Sequence, residues 1–419
     1  MNKKSFIAGL VSGILIMVFL CTMFICARIL YLNSQERKQR NNIVDNALML
    51  GDYAENNGVN SVLSDDDMLR KVMAIEAIVD AYFIEDIDKD VIKEGIYDGI
   101  MASLGDRYAD YYSAEEFTAL AQENEGIYYG IGAYLQMDNT YGYPKVTGII
   151  KDSPSSETDL RVDDYIYMVD GEDVQGQELS EVVAKIHGDE GTTVTLTIVR
   201  RATGEEIDIP IVRGKIESPT VIYEKLEDGI AYIQITEFDE VTSHQFASAM
   251  EEAYADGMEG LILDLRGNPG GSLGAVVDIA GQILPKGTVV YTMDKYGKKT
   301  DYPSAGGSEI QVPMVVLVNG GSASASEILA GAIKDYGKGY LLGTTTYGKG
   351  IVQRVIGLND GSAVKLTVSH YYTPLGNDIH GVGIEPDEVL EFDVDAYLED
   401  INNDNQLDRA VEIIKEDIK

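Results

Sequence analysis

VVLVNGGSASASEILAGAIKDYG, residues 315–337, decides how the rest of the 419-residue chain is read. A continuous apolar run suits a strand buried on both faces. It leads into small, flexible residues and then into a helix. Free backbone N–H groups and the helix dipole favour negative charge at such a junction. Ser322, Ser324 and Ser326 stand there. The place suits a nucleophilic serine and the oxyanion it creates. Ser324-Ala-Ser-Glu327 also fits the S-x-x-E capping box, and the segment taken alone favours a cap.

A nucleophilic serine needs a base. No G-x-S-x-G elbow is present, and His187, His244, His370 and His380 show no pairing that suits zinc. The stretch GTTTYGKGIVQ, residues 343–353, nearly spells a phosphate-binding loop, with Gly343, Gly348 and Lys349 in register. Gly350 stands where a Mg²⁺-binding hydroxyl belongs, and IVQRVIGL offers no helix start, so nucleotide binding is excluded. Lys349 is then either a solvated loop lysine or a base. To serve as a base, its ordinary pKa of about 10.4 must fall by roughly 3 units through burial. Glycines on both sides let backbone pack closely around it, and Gln353 could orient its amine.

Outward from these segments the texture changes. Between about residues 216 and 390, apolar runs such as IAYIQI and GLILDLR alternate with helical segments, which predicts an α/β domain with a largely buried sheet. Residues 126–213 hold short β-like runs, TTVTLTIVR among them, between Gly- and Asp-rich turns. Upstream, a capped amphipathic helix starts at Ser64, with Met68, Val72, Ile75, Val79 and Phe83 on its apolar face. VIKEGIYDGIMASLG reads as a second helix ending at Gly105, and a last helix falls at about 404–418. The run from Asp400 has the spacing of a calcium loop. Asn405 and Val411 replace the required Gly and Glu, so a polar turn is expected.

The formal net charge is −37, while residues 1–40 alone are positive. So acidic a body repels nucleic acid, which is discarded as a partner. Residues 5–27 are uncharged and mostly apolar. As a helix they span about 35 Å, enough to cross a ~30 Å hydrocarbon core. No cleavage site of small residues follows, so an uncleaved anchor is expected. Lys3 and Lys4 precede it, but Arg28, Arg37, Lys38 and Arg40 follow, and charge alone does not orient it. Both cysteines, Cys21 and Cys26, lie in this stretch, leaving the body without a disulfide, a thiolate metal site or a thiol nucleophile.

Five motifs in order resemble the carboxy-terminal processing proteases, or tail-specific proteases. They are LGDRYADYYSAEEF, LILDLRGNPGGSL, VNGGSASASEILAGAIKDYG, GTTTYGKGIVQ and VKLTVSHYYTPLGNDIHGVGIEPD. The resemblance runs from about residue 64 to the end. It implies a serine–lysine dyad, with Ser324 as nucleophile, Lys349 as general base and Gln353 orienting the lysine. It also implies oxyanion donors at Gly270 and Ala325, with Gly271 a close second to Gly270. Asp335 matches an acidic position, taken as structural support. Thr344 departs from the family, which often has Glu there.

The family also carries a PDZ domain in this position. GIYYGIGAYLQ resembles its carboxylate-binding loop, with Gly130, Ile131, Gly132 and Ala133 offering backbone N–H groups. Thr158-Asp159 and Asp163 depart from its usual turn residues. The expected fold is an α/β protease core of mixed sheet and helices, a PDZ-like β-rich domain, an N-terminal helical segment and one transmembrane helix. The expected boundaries are a cytoplasmic segment at 1–4, the anchor at 5–27, a juxtamembrane linker at 28–63, helices at 64–125, the PDZ-like domain at 126–213, the protease core at 214–395 and a C-terminal helix at 396–419. The resemblance implies a membrane-anchored serine endopeptidase, its body outside the cytoplasm, acting on proteins with free C-termini. No cofactor or metal is expected, and a homodimer through the terminal helices is a hypothesis. The rival reading is an inactive membrane-bound PDZ scaffold.

Overall fold

The computed structural model describes residues 66–307 and 309–417. The expected anchor, the segment before it and the linker after it lie outside these residues. Among the described residues no helix is long and apolar enough to cross a membrane. The chain divides into two compact units, one of residues up to 117 with 353–367, the other of 118–352 with 368 onward.

In the first unit, α1 (Asp66–Tyr82) opens on acidic residues that suit the positive end of its dipole. Helix α2 (Lys89–Ala102) is capped by Asp88, whose carboxylate accepts from Asp90 N–H. The helix stops at Ala102 with Ser103 as its cap, short of Gly105, at φ +67°, where the sequence put its end. Helix α1 buries no residue, and Met73, Ile78 and Tyr82 stay exposed. Strand β1 (Asp110–Tyr112) pairs antiparallel with residues 363–365.

Helix α3 (Ala114–Glu125) carries the chain into the second unit. Next come β2 (Ile127–Gly130), β3 (Ala133–Asp138), β4 (Tyr143–Ile149), β5 (Asp164–Val169), β6 (Glu172–Asp173), α4 (Leu179–Ile186), β7 (Thr193–Arg200) and β8 (Glu205–Val212). The antiparallel sheet runs β3-β4-β5-β7-β8, with β6 on β5. Val146, Ile166, Val194, Leu196 and Ile198 are fully buried in its core. Strand β9 (Gly214–Glu217) returns to pair with β2, setting Gly214 opposite Gly130.

The remaining chain is the α/β core. Its main sheet contains β10 (Val221–Lys225), β11 (Ile230–Ile235), β12 (Gly260–Asp264), β15 (Met314–Val318), β16 (Tyr340–Gly343) and β19 (Glu388–Val389) in that order, parallel from β11 onward. Strands β12 and β15 are buried at every residue, which is why their sequences show no alternation. One face is packed by α5 (Thr242–Ala255), α6 (Leu273–Ile283) and α7 (Ala325–Tyr336) through Phe246, Ile279 and Leu329. The other face is covered by α9 (Asn405–Asp417) through Ala410, Ile413 and Ile414. Strands β13 (Gly287–Asp294) and β14 (Lys299–Ser304) form a hairpin, and β13 pairs with residues 369–372 of β18 (Ala363–Tyr372). Parallel strands send their C-terminal ends to one edge of a sheet, where α/β proteins build their sites. The loops after β11, β12, β15 and β16 all leave from that edge.

Candidate active site

The turn between β15 and α7 puts its three serines to different uses. Ser322 and Ser326 are fully buried. Ser322 Oγ donates to Leu265 O at 2.8 Å and Ser326 Oγ donates to Asn268 O at 2.9 Å, so both hold the loop after β12. Ser324 between them keeps partial exposure. It forms the capping box with Glu327 expected for a helix start. Its backbone, however, sits at φ 54°, ψ −112°, a strained conformation for a residue with a side chain. A cap alone does not require that.

Glu327 is completely buried, and its carboxylate is the meeting point of two segments. Oε2 accepts from Ser324 N–H at 3.0 Å and from Lys349 N–H at 2.8 Å. Oε1 accepts from Gly348 N–H at 2.7 Å and from the Thr346 hydroxyl at 2.6 Å. The Thr346 oxygen itself accepts from Ile384 N–H, so its proton goes to Glu327. Four donors on one carboxyl group is the pattern an ionised carboxylate accepts. The loop 343–350 is thereby held beside the serine turn without the glutamate common at position 344; Thr344 N–H donates to Val318 O. Gly350 is required sterically, since a Cβ there would lie 2.6 Å from His380 N. Gln353 sits in the other unit, on β17 (Ile351–Gly357), where its amide donates to Thr367 Oγ1 at 3.3 Å.

The loop after β12 lies between the loops after β11 and β15. Gly270 touches the serine turn: an added Cβ would stand 2.7 Å from Ser324 Cβ and 2.9 Å from Ala325 N. Its N–H is nonetheless directed to Asn268 Oδ1 at 2.9 Å, which takes it away from an oxyanion. The neighbouring peptide behaves differently. Gly270 O accepts from Phe238 N–H, and N–H and C=O point oppositely across a trans peptide, so Gly271 N–H points away from Phe238. Phe238 follows β11 and Ser324 precedes α7 beyond β15, so that direction leads to the serine side. Ala325, first residue of α7, has an N–H with no intrahelical partner.

The PDZ-like part presents Gly130–Ala133 between β2 and β3. Ile131 O accepts from Ser155 N–H, while Gly132 O accepts from Ile150 N–H and Ser153 Oγ. By the same trans-peptide geometry, the N–H groups of Gly132 and Ala133 point away from those partners. Gly132, at φ +75°, has no space for a side chain, because a Cβ would meet Ser153 Cβ at 2.3 Å.

Asp335 accepts from Leu375 N–H at 2.8 Å and so holds the turn after β18, in keeping with a supporting role. Asp404, in the run that resembled a calcium loop, binds Arg266 at 2.8 Å, and Arg266 also grips Asp264 at the end of β12. Glu327, Asn268 and Tyr371 escaped the sequence reading as functional residues. Only Glu327 left a signal there, as the far end of the capping box.

The geometry joins a parallel-sheet core, with serine and lysine segments at one edge, to an antiparallel domain whose Gly132 and Ala133 N–H groups point away from their neighbours' bonds. Residues 229–390 match peptidase family S41, and residues 145–200 match the PDZ domain. A probable CtpA-like serine protease of Staphylococcus aureus (strain bovine RF122 / ET3-1) is 35% identical over 339 residues, covering 80% of this chain and 67% of the relative. That of strain COL is 36% identical over 332 residues, and the match spans 66% of its length. The solved photosystem II D1 C-terminal processing protease is 29% identical, with 74% of this chain and 84% of that chain covered and a TM-score of 0.45. The chain belongs to the C-terminal processing proteases of peptidase family S41.

Proposed function

We propose that this protein is a membrane-anchored serine endopeptidase that holds the C-terminal tail of a protein substrate in its PDZ domain and cleaves the chain with a Ser324–Lys349 dyad. One observation carries the reading: a single buried carboxylate, Glu327, accepts from the backbone N–H of both Ser324 and Lys349. Ser324 Oγ attacks the scissile carbonyl as neutral Lys349 takes its proton. The amine then hands that proton to the leaving nitrogen as the peptide bond breaks. Water, deprotonated by the same amine, releases the acyl group and regenerates the serine. Gln353 orients the lysine. Ala325 N–H and, in place of Gly270, Gly271 N–H stabilise the tetrahedral oxyanion. The reaction needs no cofactor.

Gly130, Ile131, Gly132 and Ala133 form the nest for the tail's carboxylate, and the tail adds as a strand to β3. Residues 5–27 anchor the chain, with the body outside the cytoplasm. The bare apolar stripe of α1 supports a homodimer.

The test incubates the purified full-length chain with an unstructured protein bearing a free apolar C-terminus. Fragments are expected from the parent. Ser324→Ala and Lys349→Arg should fold normally yet lose roughly 10³-fold or more in turnover, since arginine stays charged and cannot act as a base. Tail binding without fragments would favour the inactive scaffold, and near-parental turnover of Ser324→Ala would sink the dyad.

A further inference from the structure

Strain at Ser324 has to be maintained by its surroundings. Its N–H is held by Glu327, as described above. Its carbonyl is held by a second buried side chain from a different part of the chain. Tyr371 lies on β18 and is only 1% exposed. Its phenol donates to Ser324 O at 3.0 Å, beside the ordinary helical bond from Ile328 N–H to the same oxygen. The backbone N–H of Tyr371 donates to Gly350 O at 3.0 Å, immediately after Lys349. Each backbone polar group of Ser324 is therefore tied to the side chain of a buried residue that is also bonded to the lysine loop, Glu327 through the same carboxylate and Tyr371 through its own backbone N–H. Glu327 makes one bridge through Lys349 N–H, and Tyr371 makes the other through Gly350 O.

We propose that Tyr371 is a positioning residue which, with Glu327, fixes the strained nucleophile turn at a set distance from the lysine loop. The idea rests on the serine–lysine reading above. Tyr371 does not touch the reacting atoms; it acts through the Ser324 carbonyl. Burial first, and the Glu327 charge second, push its phenol well above the ordinary tyrosine range, so it is a neutral donor at neutral pH. Asp and Glu residues recruited as acids or bases titrate near working pH; this hydroxyl does not, which suits a fixed strut. Small displacements at a reacting centre are costly, on the order of 10²-fold for about 1 Å.

Tyr371→Phe removes the hydroxyl and keeps the ring. Its kcat should fall about 10- to 100-fold with KM unchanged, and the rate at which a fluorophosphonate labels Ser324 should fall in parallel. Tyr372→Phe, which deletes the adjacent hydroxyl, should leave both rates unchanged. 3-Fluorotyrosine at position 371 retains the donor and should retain parental kcat, which separates loss of the bond from any disturbance of the ring. Glu327→Gln should cost less in the Tyr371→Phe background than in the parent, because both bridges serve one spacing. A parental kcat in Tyr371→Phe, a defect confined to melting temperature or KM, or strictly additive losses would overturn the inference while leaving the dyad intact. A parent chain that neither cleaves nor labels would overturn the functional reading itself and the inference with it.

Discussion

The serine turn and the Gly130–Ala133 loop orient their backbone by different means. In the proposed function, both aim backbone N–H groups at a negative oxygen. In the PDZ-like domain, Gly130–Ala133 are oriented mainly by backbone bonds to Ile150 and Ser155 and by one hydroxyl, Ser153. Around Ser324, buried side chains do the orienting: Glu327, Asn268, Ser322, Ser326 and Tyr371. A carboxylate at the end of a flexible tail can shift to meet its donors. A transition state cannot, and its oxyanion is stabilised only by donors that are already in place. The denser network belongs where the geometry has to be held against strain.

If that contrast is right, the two loops should respond differently to perturbation. Apart from loss of Ser324 or Lys349 themselves, the largest effect is expected at the tail. A substrate with a free C-terminus should be cut about 10- to 100-fold more efficiently than the same chain amidated there, since hydrogen bonds to a charged group are worth ~1.5–3 kcal/mol. Equal kcat/KM for the two forms would remove the nest from substrate selection.

A smaller effect is expected from the serines beside Ser324. Ser322→Ala leaves Asn319 N–H without the Ser322 acceptor and should lower stability by about 1–3 kcal/mol. Ser326→Ala should cost less, about 1 kcal/mol, because Asn268 O keeps the bond from Ala323 N–H. Both variants should retain measurable cleavage. Inactivity in either, measured alongside chemical denaturation that shows a folded protein, would mean that the loop tolerates less than the comparison allows.

The smallest effect concerns His187, beside the tail loop. Its ring stacks on Tyr128, and burial, with Arg213 second, holds its pKa below the ordinary value. The unfolded chain then takes up the proton first as pH falls below about 6.5. The stabilisation is present above that pH and is lost as pH falls toward the lower folded value. His187→Phe keeps the stack and should flatten this part of the pH–stability curve. His187 is only partly buried and keeps contact with solvent, so the change should be slight. A steeper decline in the variant would reverse the sign assigned here.

Much of this was legible before any coordinates. The periodicity of DDMLRKVMAIEAIVDAY and the acids at its start marked α1, and the run VVLV marked a strand covered on both faces. Glycines that flank Lys349 signalled close packing, which Gly350 bears out against His380. These features are local, and local sequence specifies them because turn chemistry, capping and burial pattern act over a few residues. The site resisted the same reading for a physical reason. Gly270 looked the better oxyanion donor in NPGG, but the direction of an N–H depends on which group donates to the neighbouring carbonyl, and that donor, Phe238 N–H, lies 32 positions away. Glu327 read as half of a capping box because its second role depends on Lys349, 22 residues downstream.

By itself, then, the sequence determined the alternation of strands and helices, the serine turn, the lysine loop and the glycine-rich nest. Each follows from what neighbouring residues can do to one another. The tertiary structure decided which serine is strained and which two are struts, and that Gly270 gives its N–H to Asn268. It also decided that two buried residues, Glu327 through its carboxylate and Tyr371 through its phenol and backbone N–H, join Ser324 to the lysine loop. Those outcomes rest on hydrogen bonds between segments that meet only when parallel strands bring their ends to one edge, and no local pattern encodes which donor will face which acceptor there.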